Sequence, residues 1–204
     1  GDITISAGES GNNVTQNENT TKNDTDTIIT NREEGASSHT VTIDAKDKDD
    51  KVEVTLKDVN IDTSKQSKAA VSVTGSGDTT IELDGDNELK SGSKNAGLEK
   101  NDERSEDGKT ISGKLTIKDD KGKDGSLTAA GGAGAGIGGK HESGAGNIEI
   151  TGGTIEAVGG EGAAGIGGGV YGIGHDIEIS GGKVSATGGS YSGDPRPGAA
   201  GIGD

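Results

Sequence analysis

The sequence predicts an all-β fold, a right-handed parallel β-helix with three short strands in each coil and about six coils. Similar copies recur: residues 147–169 read NIEITGGTIEAVGGEGAAGIGGG, and residues 176–189 (DIEISGGKVSATGG) with 198–204 (GAAGIGD) repeat the pattern. Each copy holds three short runs in which apolar residues alternate with others, which is typical of strands with one buried face. Gly-Gly or Asp-Gly separates the runs at the same relative places. Such copies can therefore stack as three-sided coils.

The composition favours a narrow, closely packed interior. Glycine accounts for 40 of the 204 residues, aromatic residues make up 1%, and Cys, Met, Trp and Phe are absent. The core must therefore use Ile, Val, Leu, Ala and bare backbone, which lets neighbouring coils approach closely. Low hydrophobicity with high charge is also typical of disordered chains, but the regular repeats argue against disorder.

The spacing of the copies is irregular, which indicates insertions at the corners of the coils. The first strands align on Val54, Ile81, Leu115, Ile148 and Ile177, with spacings of 27, 34, 33 and 29 residues. Solenoids tolerate such variation because insertions loop out while the strands keep their register. The predicted insertions are residues 101–113, 140–146, 170–175 and 190–197.

We expect a single β-helix domain over residues 1–204, with regular coils in 52–204 and an irregular first coil or cap in 1–51. Strands are expected at 3–7 and 40–45, whereas the Asn/Thr/Asp-rich residues 9–27 are expected to form a long corner loop or a distorted coil. The chain begins without Met and stops within the repeat pattern. We therefore expect a fragment of a longer surface protein.

The negative net charge argues against nucleic acid as a partner and favours divalent cations. A net charge of -15 and a pI near 4.5 argue against nucleic acid, whose phosphates need clustered Lys and Arg. The same charge attracts divalent cations, so calcium is a candidate partner. Insertion into a membrane is not expected, because no segment has the roughly 18 to 20 consecutive apolar residues that spanning requires.

The order of the repeats resembles a family of exported bacterial β-helix proteins, common in Firmicutes and described as carbohydrate-binding domain-containing. The resemblance rests on HTVTIDAKDKDDKVEVTLKDVNID (39–62), AAVSV (69–73), TTIELDGDNELKSG (79–92) and the later GAGIGG and NIEITGGTIEA copies. It covers roughly residues 39–204. The resemblance implies a right-handed parallel β-helix, a secreted or cell-surface location on a Gram-positive bacterium, and polysaccharide binding without an established catalytic centre. It supplies no set of ligand-contacting residues.

The only two aromatic residues suggest where a sugar would bind. Tyr171 and Tyr191 each lie in a predicted corner insertion, and sugar rings stack on aromatic faces. Asp194 and Arg196, close to Tyr191, can hydrogen-bond sugar hydroxyls or the carboxylate of an acidic sugar. These four residues are the predicted ligand site for a polysaccharide, neutral or acidic. The alternative is that both tyrosines simply cover the adjacent coil.

Four corner carboxylates form the predicted calcium site. Asp84, Asp86, Asp119 and Asp120 follow first strands, and calcium takes six to eight oxygen ligands, including backbone carbonyls freed at turns. The alternative is that Asp occurs there because it caps turns. His141 and His175 also follow strands, and we expect them to be exposed corner residues with no metal.

Catalysis is considered because lyases and hydrolases of polysaccharides also use this fold. The predicted outward column of the first strands consists of Thr55, Glu82, Thr116, Glu149 and Glu178. Glu149 and Glu178 would stack on adjacent coils, but the column holds no Lys or Arg and no aromatic floor. We therefore expect no enzyme. The remaining alternatives are a binding or adhesion module and a purely structural stalk, as a monomer or in end-to-end association.

Overall fold

The computed structural model describes residues 1–31, 34–192 and 198–203, which fold into three stacked sheets. The sheets hold seven, six and five strands in parallel rows, and two further strands join the first sheet antiparallel. Each of the five complete coils contributes one strand to each sheet in turn, so the architecture is the predicted right-handed parallel β-helix. In this part of the chain, no helix has the length and apolar character that crossing a membrane requires.

We label the three sheets A, B and C. Sheet A contains β1 (Ile3–Ala7), β2 (Asn12–Gln16), β3 (Asn19–Asp24), β5 (Val41–Asp44), β8 (Val71–Thr74), β11 (Leu98–Glu99), β14 (Ile137–Gly138), β17 (Ile166–Gly167) and β20 (Ile202–Gly203). Sheet B contains β4 (Ile28–Thr30), β6 (Lys51–Lys57), β9 (Asp78–Asp84), β12 (Leu115–Lys118), β15 (Ala145–Ile150) and β18 (Gly174–Ile179). Sheet C contains β7 (Asn60–Asp62), β10 (Asp86–Lys90), β13 (Ser126–Ala130), β16 (Thr154–Val158) and β19 (Lys183–Thr187).

The interior is filled by columns of aliphatic side chains, one residue from each coil. Full burial of one such side chain contributes about 1.5–3 kcal/mol, and stacking buries the inner face of one coil against the next. The column of sheet A is Val41, Val71, Leu98, Ile137 and Ile166. The column of sheet B is Val54, Ile81, Ile117 and Ile150. The column of sheet C is Ile61, Leu89, Ala129 and Ala157.

One step of the predicted register is wrong. Ile81 pairs with Ile117, and Leu115 pairs with Thr79, so this coil is shifted by two residues from the expected alignment. The other steps agree with the prediction, since Val54 pairs with Ile81 and Ile148 pairs with both Leu115 and Ile177. The shift follows the longest predicted insertion.

The short strands of sheet A depend on glycine. Gly138 has a φ of +133° and Gly167 one of +139°, in the region that side chains rarely adopt. A Cβ on Gly138 would also collide with the carbonyl oxygen of Gly167 in the next coil. The Gly-Ile-Gly sequence therefore supplies one inward aliphatic side chain and lets the backbones of neighbouring coils come close together.

Residues 9–27 do not form the expected loop. Strands β2 and β3 form an antiparallel hairpin there, and the hairpin extends sheet A beyond β1. Asn17 and Glu18 connect the two strands with φ values of 49° and 66°, as a two-residue type I′ turn requires. The open end of the hairpin lies beside the outer face of sheet B, where Ser10 to Asn12 border a depression.

Candidate functional site

An open cleft of about 790 Å³ lies at the corner where the chain passes from sheet A to sheet B. Three connecting segments surround it: residues 100–114, 139–144 and 168–173. The first contains the longest predicted insertion, and the other two are equivalent turns of successive coils. We call this depression the corner cleft.

Four residues that line the corner cleft have left-handed backbone conformations. Glu142 and Tyr171 have φ values of 63° and 62°, and Asn147 and Asp176 have values of 56° and 47°. Because Gly138 pairs with Gly167 in these two coils, Glu142 and Tyr171 occupy equivalent positions, as do Asn147 and Asp176. Asn and Asp adopt this conformation fairly readily, whereas Glu and Tyr adopt it at a cost, so the side chains of Glu142 and Tyr171 indicate a role other than packing.

One wall of the corner cleft is apolar and exposed to solvent. The accessible fraction is 78% for Tyr171 and 64% for Ile173. The Tyr171 ring meets the His141 ring edge to face, with the centroids 6.0 Å apart. The Tyr171 ring is therefore in contact with His141, while most of the residue remains open to solvent and to a ligand.

The floor of the corner cleft is polar, and His175 holds it together. Its Nε2 lies 2.8 Å from Oδ2 of Asp102, and its Nδ1 lies 2.9 Å from Oδ2 of Asp176. The hydrogen bonds to Asp176 and Asp102 raise the pKa of His175 above its ordinary value, and partial burial opposes this rise. His175 is therefore half-buried and paired with two carboxylates, and it is not the fully exposed corner residue that the sequence predicted. His175 joins the 100–114 segment to β18.

Asp102 is nearly buried and only partly satisfied. Its side chain is 10% exposed, and its Oδ1 has no hydrogen-bond partner among the described residues. Lys100 lies below it, 3% exposed, and donates from Nζ to the carbonyl of Gly146 at 2.8 Å. Burial lowers the pKa of Lys100, while Asp102 and Glu103 act in the opposite direction. A buried acceptor without a donor is costly, so a donor that reached Asp102 would be stabilised.

Arg104 also lines the corner cleft and provides a cation there. It is exposed, and its Nη1 donates to the carbonyl of Gly108 at 3.4 Å. It forms no ion pair with any carboxylate in the described part of the chain. A planar guanidinium with free donors can bind hydroxyls or oxyanions.

A second depression of about 450 Å³ lies on the outer face of sheet B, and we call it the face cleft. Lys51, Glu53, Asp78, Thr80 and Thr116 line it, together with Lys114 and the edge of the β2–β3 hairpin. Lys114 donates to Oε2 of Glu149 at 3.0 Å, and this hydrogen bond raises the pKa of Lys114. The face cleft has no aromatic lining residue.

The structure places the predicted ligand residues at different corners. Tyr171 lines the corner cleft, but Tyr191 follows β19 at the corner between sheets C and A, where its ring lies over Gly162 of the preceding coil. Asp194 and Arg196 lie outside the described residues. The four residues remain a predicted site, of which the structure assigns Tyr171 alone to the corner cleft.

The predicted calcium residues all lie at the corner between sheets B and C, on two successive coils. Oδ2 of Asp84 is 2.8 Å from Nζ of Lys57, and Oδ1 of Asp86 accepts from Ser126 at 2.8 Å. Asp119 accepts hydrogen bonds from two backbone amides of its own turn.

Asp120 is the fourth of these residues, and its Oδ2 lies 3.6 Å from Nζ of Lys118. No three Asp, Glu, His or Cys side chains of the described residues converge as a group that could hold a metal ion. Calcium binding at this corner stays a prediction.

The predicted outward column is correct for two members and wrong for two others. Glu149 and Glu178 are paired on adjacent strands, as expected. Thr55 and Glu82, however, are 5% and 0% exposed. Glu82 is covered because Oε1 accepts hydrogen bonds from the backbone of Asp120 and of the following residue, both at 2.7 Å, so the turn after β12 folds over it.

The same face carries the lysines that the sequence pattern did not reveal. Lys118 lies 3.4 Å from Glu53 and 3.7 Å from Glu82, and Lys114 contacts Glu149. The outer face of sheet B is therefore a mixed surface of lysines, carboxylates and threonines. It is not the lysine-free Thr and Glu column that the sequence predicted.

Comparison with known proteins supports the fold and leaves the ligand open. A family model described as a beta helix repeat matches residues 148–170 and 177–204, which correspond to the last two coils. No curated protein matches the chain significantly, and neither does any solved structure. The chain is thus similar to proteins built from β-helix repeats, and this similarity agrees with its three parallel sheets.

Proposed function

We propose that this β-helix is a non-catalytic polysaccharide-binding or adhesion module, secreted or displayed on the surface of a Gram-positive bacterium, and that it binds glycan in the corner cleft. The observation that carries the proposal is Tyr171: the residue is 78% exposed on a left-handed backbone, and it lines the same cleft as the nearly buried Asp102 and its half-buried partner His175. The location follows from the family resemblance of the repeats.

The chemistry of the corner cleft suits a sugar. One face of a sugar ring is apolar and can stack on Tyr171, while its hydroxyls both donate and accept hydrogen bonds. Asp102 and Asp176 accept such bonds, and Arg104 donates them. Ligand sites commonly combine an apolar wall with a few polar groups that fix orientation.

A structural stalk is the second candidate function, and the close packing of the coils favours it. Gly138 and Gly167 bring neighbouring backbones together, and continuous aliphatic columns run through the interior. Such a rod would be stiff without binding anything. A stalk, however, needs no exposed aromatic side chain at a left-handed position.

The test compares Tyr171→Gly with Lys123→Gly. Both residues are exposed and left-handed, at φ values of 62° and 61°, but Lys123 lies at the corner between sheets B and C. Glycine relieves backbone strain at both positions, so each variant should be as stable as the parent or more stable by up to about 1 kcal/mol. Only Tyr171→Gly should lose glycan affinity, by about tenfold or more, because it alone removes the stacking surface.

Retention on a glycan array followed by calorimetry with the retained glycans measures this loss, and thermal unfolding provides the stability control. If Tyr171→Gly and the parent chain bind glycan with equal affinity, the glycan does not bind in the corner cleft. If the parent chain retains no glycan, the stalk becomes the better explanation. Release of reducing ends, or of unsaturated products that absorb in the ultraviolet, would show instead that the module is a hydrolase or a lyase.

A further inference from the structure

The corner cleft and the face cleft adjoin on neighbouring strands. Thr116 on β12 lines the face cleft and pairs with Glu149 on β15, two residues after Asn147, which lines the corner cleft. Adjacent strands are about 4.8 Å apart. The chain also passes directly from Ser112 in the corner cleft to Lys114 in the face cleft. The two depressions are therefore neighbours along the helix axis.

One row of polar residues borders both depressions. Lys51, Asp78 and Lys114 lie at or just before the beginnings of β6, β9 and β12, and Asn147 and Asp176 follow near the beginnings of β15 and β18. The pairing of these strands places the five residues in successive coils. Five strands at about 4.8 Å give a row of about 19 Å parallel to the axis.

The charges of the two clefts are balanced in the same way. The face cleft holds three carboxylates and two lysines, and the corner cleft holds three carboxylates, one arginine and His175. Neither a polyanion nor a polycation complements such a surface, and the net charge of -15 further disfavours a polyanion. Hydroxyl groups, which donate and accept hydrogen bonds, complement groups of both signs.

We infer that a single linear, uncharged polysaccharide lies along the helix axis and occupies both clefts, with one sugar stacked on Tyr171 and the following sugars over Thr116 and Thr80. This inference rests on the proposed function and specifies its ligand. The corner cleft supplies the apolar contact, and the face cleft adds polar contacts that a short ligand cannot reach. The two sets of contacts act together because the ligand is continuous.

The test is the dependence of affinity on ligand length. Neutral β-linked glucan, mannan and xylan oligosaccharides from dimer to octamer are titrated into the parent chain, with polygalacturonate oligomers as the charged comparison. For the neutral series that binds, we expect affinity to rise by at least about tenfold between the shortest oligomer bound and the longest, and then to level off. Binding of the neutral series should change little with salt, since no net charge is neutralised.

A pair of matched variants locates the extra contacts. Thr80→Gln places a longer side chain on the floor of the face cleft, and Thr128→Gln makes the same change on the outer face of sheet C. Both threonines are half-buried and lie on strands paired on both sides. We expect Thr80→Gln to lower affinity for long oligomers about tenfold and to leave the shortest unaffected, whereas Thr128→Gln changes neither.

The possible results separate this inference from the proposed function. If affinity does not depend on oligomer length, or if Thr80→Gln and Thr128→Gln bind long oligomers equally, the ligand does not occupy both clefts. The corner cleft then remains the proposed binding site. Tighter binding of polygalacturonate than of every neutral series overturns the assignment of an uncharged ligand. Failure of all oligosaccharides to bind overturns the proposed function as well.

Discussion

His175 joins two parts of the chain that are far apart in sequence. Its bond to Asp102 links residues 73 positions apart, and its bond to Asp176 fixes the ring in one orientation. Both ring nitrogens can donate only when the imidazole is protonated. The attachment of the 100–114 segment to β18 is therefore strongest for the charged form of His175.

This attachment predicts a dependence of stability on pH. The pKa of folded His175 is raised above the value of 6.5 expected when unfolded. The folded state thus binds the proton more tightly, and the stabilising contribution is complete below a pH of about 6.5 and is lost as the pH rises through the raised pKa. We expect the free energy of unfolding in urea to fall over this window. His175→Gln should lack that part of the fall, and an identical pH dependence in both proteins would contradict the role of His175.

The residues of the corner cleft also show the limit of sequence reasoning at this scale. Tyr171 could be selected because aromatic residues are so rare in this chain. Asp102 and His175 could not be paired, because Asp102 lies within a long insertion and meets His175 only through the stacking of the coils. The sequence contains only a weak indication that Glu142 and Tyr171 share a left-handed conformation: both residues occupy the same position after a Gly-Ile-Gly strand.

The strands of sheet A depend on glycine more than those of sheets B and C, and this predicts the effect of one substitution. Gly138→Ala forces a side chain onto a backbone with φ of +133° and against the carbonyl of Gly167. We expect a loss of about 2 kcal/mol or more in the free energy of unfolding, because the next coil must move away. Chemical denaturation measures the loss.

Gly122→Ala is the matched control for this substitution. The nearest atom that its Cβ would meet is the end of the exposed Asp124 side chain, which can rotate away. This variant should unfold within about 0.5 kcal/mol of the parent chain. If Gly138→Ala were equally harmless, the close approach of neighbouring coils would not be required for stability.

At the scale of strands, the alternation of apolar residues predicts the buried face of a strand. It is less reliable for the register in which neighbouring strands pair. The strand at 115–118 could be aligned on Leu115 or on Ile117, because a shift of two residues keeps the same face inward. The β2–β3 hairpin was missed for a different reason. Its strands are rich in Asn and Thr, with few apolar residues to show alternation, and the Asn17-Glu18 turn lacks the glycine typical of such hairpins.

For the whole molecule, the net charge of -15 leads to a prediction about calcium. The corner between sheets B and C carries Asp84 and Asp119, whose oxygens already contact Lys57 and backbone amides. Calcium must compete with these contacts, so we expect weak binding, with a dissociation constant on the order of 10⁻⁴–10⁻³ M. Saturating calcium should then raise the Tm, and a chelator should reverse the increase.

The double variant Asp84→Asn and Asp119→Asn should abolish this increase, whereas Glu106→Gln, an exposed change in the 100–114 segment, should preserve it. Magnesium at the same ionic strength controls for general screening of charge. An equal rise in Tm with either ion, or an unchanged rise in the double variant, would mean that calcium acts by general screening of charge. The aspartates at this corner would then serve only to cap turns.

The equivalence of Glu142 and Tyr171 has a consequence for how such a surface can diversify. These two coils offer the same outward position on an equivalent backbone, so exchanging the side chain there changes the surface of the coil without disturbing its packing. Equivalent positions in neighbouring coils are separated by the fixed distance between the coils. On the proposed function, a β-helix of this kind can therefore change its ligand specificity by single substitutions, one coil at a time.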